Sequence, residues 1–175
     1  MGTKKFRFVK HFLIILKDSK HIRVFKNQND IGTNYMARVK IDLPEKFSFQ
    51  TEIPIRISDI NYSGHLGNDA ILSIIQEARL RFLNSYGLSE IEVDKTGIIM
   101  VDAAIQYKSE GFYGDILIVE VATTEVTSTG CDFIYRITKK ESKKVVAIAK
   151  TGIVFFDHNK KKIIQMPLKF KPVFS

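Results

Sequence analysis

The chain has 175 residues, one cysteine and a formal net charge of +8, and 45% of its residues are apolar. This size and composition predict one folded domain and exclude a disordered chain, a disulfide scaffold and a multi-cysteine zinc site. Residues 1–35 hold eight lysines and arginines against two acids, so most of the charge lies there and nucleic-acid binding is not expected of the rest.

Residues 1–35 differ in pattern from the sequence that follows. Their apolar run, Phe12–Leu16, is shorter than the ~7–15 residues of a secretory signal and far shorter than the ~18 residues of a membrane span. Regular patterning begins at Met36. We therefore predict a basic extension over residues 1–35, arising from a misassigned start codon or packed loosely as an appendage, and one domain over residues 36–175. The single cysteine, Cys131, indicates a reducing compartment, which we expect to be the cytoplasm.

The first elements of this domain are a strand and a long helix. Hydrophobic residues alternate moderately over residues 45–58, which predicts a half-buried strand, and Pro54 indicates a sheet edge or a bulge. Apolar residues at helical spacing then predict a helix that begins at a cap, Asn68 or Asp69, and runs to Tyr86.

Strand patterns fill the rest of the domain. Alternating or β-branched residues predict four more strands, over residues 99–107, 116–126, 133–137 and 145–156. The turns between them are short, which indicates antiparallel neighbours. This order predicts an α+β fold in which one antiparallel sheet of about five strands wraps around one central helix.

The loop before the helix is the part of the sequence that indicates chemistry. His65 lies between Gly64 and Gly67, directly before the predicted helix. The glycines would let a ligand approach the backbone closely. The free N–H groups of the first helical turn would then face that ligand, and the helix dipole favours negative charge there. This arrangement suits the oxyanion that develops on a carbonyl group.

The same residues also have structural explanations. Asp59 and Asn61 could form an Asx-type turn, and Asn68 could cap the helix. Glu77 could form an ion pair with the arginine four residues later. The structural explanation is weakest for His65, because two glycines and a helix start are an unusual setting for a core histidine.

The segment Asp59-Ile-Asn-Tyr-Ser-Gly-His-Leu-Gly-Asn68 resembles the D-x-D-x-x-G-H-[VL]-N-N signature of hotdog-fold acyl-CoA thioesterases of the 4-hydroxybenzoyl-CoA thioesterase type. Later segments are similar to family segments in the same order: Glu77-Ala-Arg79, Tyr107 to Asp115, and Ala147 to Asp157. In the second of these, Glu110-Gly-Phe replaces the family's proline. The resemblance covers residues 45–170 and implies the hotdog fold.

The resemblance implies an enzyme of fatty acid metabolism that hydrolyses acyl-CoA or acyl-carrier-protein thioesters without a metal or organic cofactor. The acyl chain would lie along the helix, and the backbone around Gly64, Gly67 and Asn68 would bind the substrate and polarise the thioester carbonyl. A lone hotdog sheet has an exposed edge, so we expect a homodimer, or a tetramer, with the site at the interface.

One departure from the signature leaves the catalytic group open. The family's usual base or nucleophile is the second aspartate, which aligns with Asn61, and asparagine can fill neither role. Asp59 or Glu77 could supply the carboxylate instead. Alternatively, His65 could be the base while Asn61 orients water or substrate, as in the similar plant acyl-carrier-protein thioesterases. We favour an Asn61/His65 site assisted by Asp59 or Glu77.

Two other functions are compatible with the same loop. Asp59, Asn61 and His65 also occur in the D-x-N-P-x-H stretch of hotdog enoyl-thioester hydratases and dehydratases, but here one more residue precedes the histidine and the proline is missing. A module that binds an acyl thioester without turnover is the other alternative, since the aspartate at position 61 is absent.

Overall fold

The computed structural model describes residues 39–90 and 95–173. The predicted extension over residues 1–35 lies outside the described residues and stays a prediction. The described elements are, in chain order, β1 (Phe49–Pro54), α1 (Ala70–Ser85), β2 (Thr96–Tyr107), β3 (Ile116–Thr124), β4 (Gly130–Lys139), β5 (Val145–Asp157) and β6 (Lys162–Ile163). Across these two ranges, no helix is both long and apolar enough to cross a membrane.

The strands form one antiparallel sheet in the order β1-β3-β4-β5-β2, with β6 paired to β5. The predicted α+β arrangement is therefore confirmed, and β6 adds a sixth, two-residue strand. β1 lies at one edge and ends at Pro54, as its proline indicated. It is shorter than predicted because the chain turns into a 3₁₀-helix at Ile57–Asp59.

Helix α1 packs its apolar side on one face of the sheet. Its buried hydrophobic residues are three or four positions apart, as expected for one helical face: Ala70, Ile71, Ile74, Ile75, Ala78, Phe82 and Leu83. The ring of Phe82 meets Phe49 of β1 and Phe133 of β4 edge to face, with centroids 5.6 and 5.8 Å away. This packing fixes the helix start beside the ends of β1 and β2.

The chain before β1 lies on the opposite face of the sheet. Phe47 stacks on the guanidinium of Arg136, 4.7 Å from its ring centroid. Earlier in this segment, the carbonyl oxygen of Val39 accepts a hydrogen bond from the side-chain amide of Gln106 in β2. Residues 39–47 thus run from β2 to β4 and cover part of the sheet face that is opposite to α1.

Candidate active site

The loop between β1 and α1 is a small hairpin held by its own backbone. The N–H of Asn61 donates to the carbonyl oxygen of His65 (3.0 Å), and the N–H of Gly67 donates to that of Asp59 (2.9 Å). At the tip, Gly64 has a φ of +82°, a conformation that favours glycine. Gly64 and Gly67 therefore shape the loop, and neither of them lines the pocket described below.

Asn61 and His65 meet at the base of this hairpin, as the sequence favoured. The amide oxygen of Asn61 accepts the N–H of Ser63 (2.9 Å), which is the predicted Asx turn. Its amide nitrogen consequently faces the imidazole and lies 3.4 Å from Nδ1 of His65. The carbonyl oxygen of Leu66 lies 3.4 Å from the same nitrogen. Because Nδ1 is engaged within the loop, Nε2 is the ring nitrogen left for a ligand.

His65 lines an open pocket of about 270 Å³ at the start of α1. Three chain segments form its walls: His65, Leu66, Asn68 and Ile71 around the helix start, Tyr107, Lys108, Ser109, Glu110 and Gly111 after β2, and Val146 of β5. The pocket therefore combines apolar residues with a histidine, a glutamate and a lysine.

The segment after β2 is joined to the helix start and to the loop. The hydroxyl of Tyr107 donates to the carbonyl oxygen of Asn68 (3.1 Å). The N–H of Leu66 donates to the carbonyl oxygen of Gly111 (2.8 Å). Gly111 is buried, and a Cβ there would lie 2.7 Å from Cδ1 of Ile55, so a larger residue would require the Ile55 side chain to shift.

The start of α1 can present backbone N–H groups to a ligand. Asp69 is the N-cap, and among the described residues its side chain makes no capping hydrogen bond. Asn68 precedes the cap and contributes to the pocket wall. The first-turn N–H groups are therefore not occupied by the side chain of the N-cap residue, and the dipole of α1 favours negative charge at this end.

Asp59 does not line the pocket, because Arg56 holds its carboxylate elsewhere. The carboxylate is buried and accepts hydrogen bonds from Nη2 (3.0 Å), Nε (3.2 Å) and the backbone N–H (2.8 Å) of Arg56. Burial acts to raise the pKa of Asp59, but the hydrogen bonds from Arg56 outweigh it and lower the pKa below its usual value. Asp59 thus fixes the end of β1 to the loop.

Glu77 is also outside the pocket lining. It accepts a hydrogen bond from Nε of Arg81 (2.9 Å), which is the predicted ion pair, and Arg81 also donates to the carbonyl oxygen of Glu52 in β1 (2.8 Å). Arg79, two positions away, is buried and donates to Glu90 (2.6 Å). Glu77 is therefore directed towards β1, whereas Ile71 of the same helix lines the pocket.

Eight lining residues were missed by the sequence analysis as site residues: Leu66, Ile71, Tyr107, Lys108, Ser109, Glu110, Gly111 and Val146. The one available signal was Glu110, which replaces a proline in the resemblance. Among the described residues, Glu110 forms no ion pair and no side-chain hydrogen bond. Within residues 39–90 and 95–173, no three acidic, histidine or cysteine side chains lie close enough together to bind a metal ion.

This arrangement can bind and polarise a carbonyl group and can transfer protons. An imidazole and a carboxylate are suited to proton transfer, and N–H groups at a helix start stabilise a developing oxyanion.

Residues 55–174 match the thioesterase-like superfamily. No curated protein matches this chain in sequence.

The fold is similar to that of a 1,4-dihydroxy-2-naphthoyl-CoA thioesterase from Synechocystis, with a TM-score of 0.67, 24% identity and coverage of 71% of this chain and 93% of that chain. A protein from Staphylococcus aureus in complex with CoA has a TM-score of 0.67 and 18% identity, covering 72% of this chain and 80% of its own. A gentisyl-coenzyme A thioesterase has a TM-score of 0.65 and 17% identity, and the match covers 73% of this chain and 100% of that chain. At these identities the similarity establishes the hotdog fold.

Proposed function

Because this chain belongs to the thioesterase-like superfamily, we propose that it hydrolyses acyl thioesters in the pocket at the start of α1. The observation that carries the proposal is that one open pocket is lined by His65 and by the start of the buried helix. Structural neighbours named as CoA thioesterases, and one with CoA bound, support a CoA thioester over a carrier-protein thioester. We assign the activity to fatty acid metabolism in the cytoplasm.

The walls of the pocket suggest how a thioester would lie. The acyl group packs against the apolar side chains of Leu66, Ile71 and Val146. The carbonyl oxygen faces the N–H groups at the helix start near Asn68, which stabilise its negative charge in the transition state. The thiol carrier leaves past Lys108 at the pocket rim.

Hydrolysis also needs side chains that act on the thioester carbonyl and on the protons of water and the leaving thiol. Among the predicted catalytic residues, His65 lines the pocket and Asn61 contacts His65. Asp59 and Glu77 do not line the pocket. The proposal therefore keeps the Asn61/His65 pair at the centre of the site and makes Asp59 and Glu77 supporting residues.

We propose further that the chain works as a homodimer joined along β2. Within the described residues, β2 pairs only with β5 on one side, and its other edge carries exposed Met100 and Val101. The pocket begins where β2 ends, at Tyr107. Its volume of about 270 Å³ is slightly below the ~300–1,000 Å³ of typical ligand sites, as expected if a second subunit completes it.

A hydrolysis screen tests the proposed activity. The full chain is given acyl-CoAs of increasing length, aromatic acyl-CoAs and an acyl-carrier-protein, and thiol release is followed. We expect turnover of at least one acyl-CoA, and a loss of about 100-fold or more in kcat for His65→Ala. His158→Gln, which changes a histidine outside the pocket, is the matched control.

Each other outcome of this screen has a defined meaning. A chain that releases no thiol from any substrate contradicts the proposal, as does full activity of His65→Ala. Binding of acyl-CoA without thiol release would support the non-catalytic module, and hydration of an enoyl-CoA without hydrolysis would support the hydratase.

A further inference from the structure

The chain departs from the family segments at positions 61, 67 and 110, and two of these departures, Asn61 and Glu110, change the carboxylates around His65. Asn61 replaces an aspartate, which removes a carboxylate beside His65. Glu110 replaces a proline, which adds a carboxylate to the pocket that His65 lines. We propose that Glu110 is the catalytic base of this enzyme, an inference that rests on the proposed thioester hydrolysis.

The backbone on both sides of Glu110 is held against the pocket. The N–H of Ser109 donates to the carbonyl oxygen of Val146 (3.2 Å), and its hydroxyl donates to that of Val145 (2.8 Å). On the other side, the carbonyl oxygen of Gly111 accepts the N–H of Leu66 (2.8 Å), the residue after His65. Glu110 is therefore on a restrained segment, which the backbone of its neighbour Gly111 joins to the His65 loop.

The carboxylate of Glu110 differs from those of Asp59, Glu77 and Asp115, each of which is held by a basic side chain. Asp59 is bonded to Arg56, Glu77 to Arg81, and Asp115 to Lys139 at 2.6 Å. Within residues 39–90 and 95–173, the side chain of Glu110 has no such partner, and it is exposed at the pocket wall. It is thus the one carboxylate in the pocket lining.

The contact between Asn61 and His65 assigns the imidazole a complementary role. The amide nitrogen of Asn61 is a donor, and the hydrogen bond from Ser63 prevents the amide from turning its oxygen to the ring. The carbonyl oxygen of Leu66 also lies 3.4 Å from Nδ1 and would accept a hydrogen bond from a ring protonated there. The proposal takes the other form, in which Nδ1 accepts from Asn61 and the neutral ring carries its proton on Nε2. In this form Nε2 donates to the substrate carbonyl and does not take a proton from water.

The reaction then balances with groups present in the pocket. Glu110 takes one proton from a water molecule while the water oxygen bonds to the thioester carbon. The carbonyl π electrons move to the oxygen, where Nε2–H of His65 and the helix N–H groups stabilise the negative charge. The carbonyl re-forms, the C–S bond breaks, and the thiolate receives the proton from Glu110, which returns to its starting state.

Substitution of Glu110 tests this role in the full chain. For Glu110→Gln we expect kcat for the best acyl-CoA to fall about 100-fold or more, with a similar KM and an unchanged melting temperature because the residue is exposed. Glu141→Gln is the matched control, since it removes the same charge from an exposed turn outside the pocket. Its activity should equal that of the wild type.

A rescue experiment separates a base from a residue that only shapes the pocket. Sodium formate should restore part of the activity of Glu110→Ala, because the exposed position admits a small carboxylate, and it should not affect wild type or Glu141→Gln. If wild type is active while Glu110→Gln keeps its kcat, or formate has no effect on Glu110→Ala, the role of Glu110 is wrong and the proposed function stands. If wild type hydrolyses no thioester, both proposals fail.

Discussion

The amide nitrogen of Asn61 lies 3.4 Å from Nδ1 of His65, while the amide oxygen is held by the N–H of Ser63. An aspartate at position 61 would accept a hydrogen bond from Nδ1–H and leave Nε2 as a base. The asparagine does the opposite, because its facing group is a donor. The residue type at position 61 therefore determines whether His65 accepts or donates a proton in the pocket.

This relationship predicts a change of tautomer on substitution. In wild type at a pH where His65 is neutral, ¹⁵N NMR should find the proton on Nε2, and in Asn61→Asp it should find the proton on Nδ1. Asn84→Asp, at the exposed end of α1, is the control and should leave the His65 spectrum unchanged. A wild-type ring protonated on Nδ1 would mean that the Leu66 carbonyl oxygen, also 3.4 Å away, is the stronger partner.

The buried carboxylate of Asp59 predicts a pH-dependent loss of stability. Its folded-state pKa is lowered by the hydrogen bonds from Arg56, which exceed the opposing effect of burial. The ionised form therefore stabilises the fold above the unfolded-state pKa of about 3.9, and this contribution disappears as the pH falls through the folded-state value.

For Asp59→Asn we accordingly expect about 1–3 kcal/mol less free energy of unfolding at pH 7, and a smaller difference from wild type near pH 3. Urea denaturation at both pH values measures this. Asp42→Asn, at an exposed site, should differ little from wild type at either pH. An equal deficit for Asp59→Asn at both pH values would show that charge is not the cause.

The close contact at Gly111 predicts that an added methyl group disturbs both stability and activity. The Cβ of Gly111→Ala would lie 2.7 Å from Cδ1 of Ile55 and 3.4 Å from Cβ of Leu66. We expect a loss of about 1–3 kcal/mol and lower turnover, because the segment carrying Glu110 must shift.

Ile55→Val removes the Cδ1 atom and supplies the control. Thermal unfolding of the two single variants and the double variant should show that Ile55→Val costs less stability in the Gly111→Ala background than in wild type. If the two substitutions change stability additively, the contact between position 111 and Ile55 is not the cause of the lost stability.

The exposed edge of β2 predicts an interface that one charge can break. Val101→Lys should shift the mass in solution from twice 20.0 kDa to 20.0 kDa, because a lysine at the centre of paired strands would be buried without a partner. Multi-angle light scattering measures the mass. Val126→Lys, an exposed valine in the turn after β3, should leave it unchanged. A wild-type monomer would contradict the proposed dimer.

The sequence by itself determined helix α1, the strands β1 to β5 and the Asx turn in the loop before α1. The periodicity that predicts α1 and the later strands reflects which side chains are buried, and burial repeats along a single element. The Asx turn at Asn61 and the meeting of Asn61 with His65 were also accessible, because they involve residues within one short loop.

Only the tertiary structure decided which acid lines the pocket with His65. Asp59 and Glu77 are near it in sequence, but Arg56 and Arg81 hold their carboxylates outside the pocket lining. Glu110 is distant in sequence and lines the same pocket, because the pairing of β2 with β5 brings the end of β2 to the helix start. Contacts between separate elements depend on sheet order and register, and these follow from the packing of the whole domain, which no local pattern encodes.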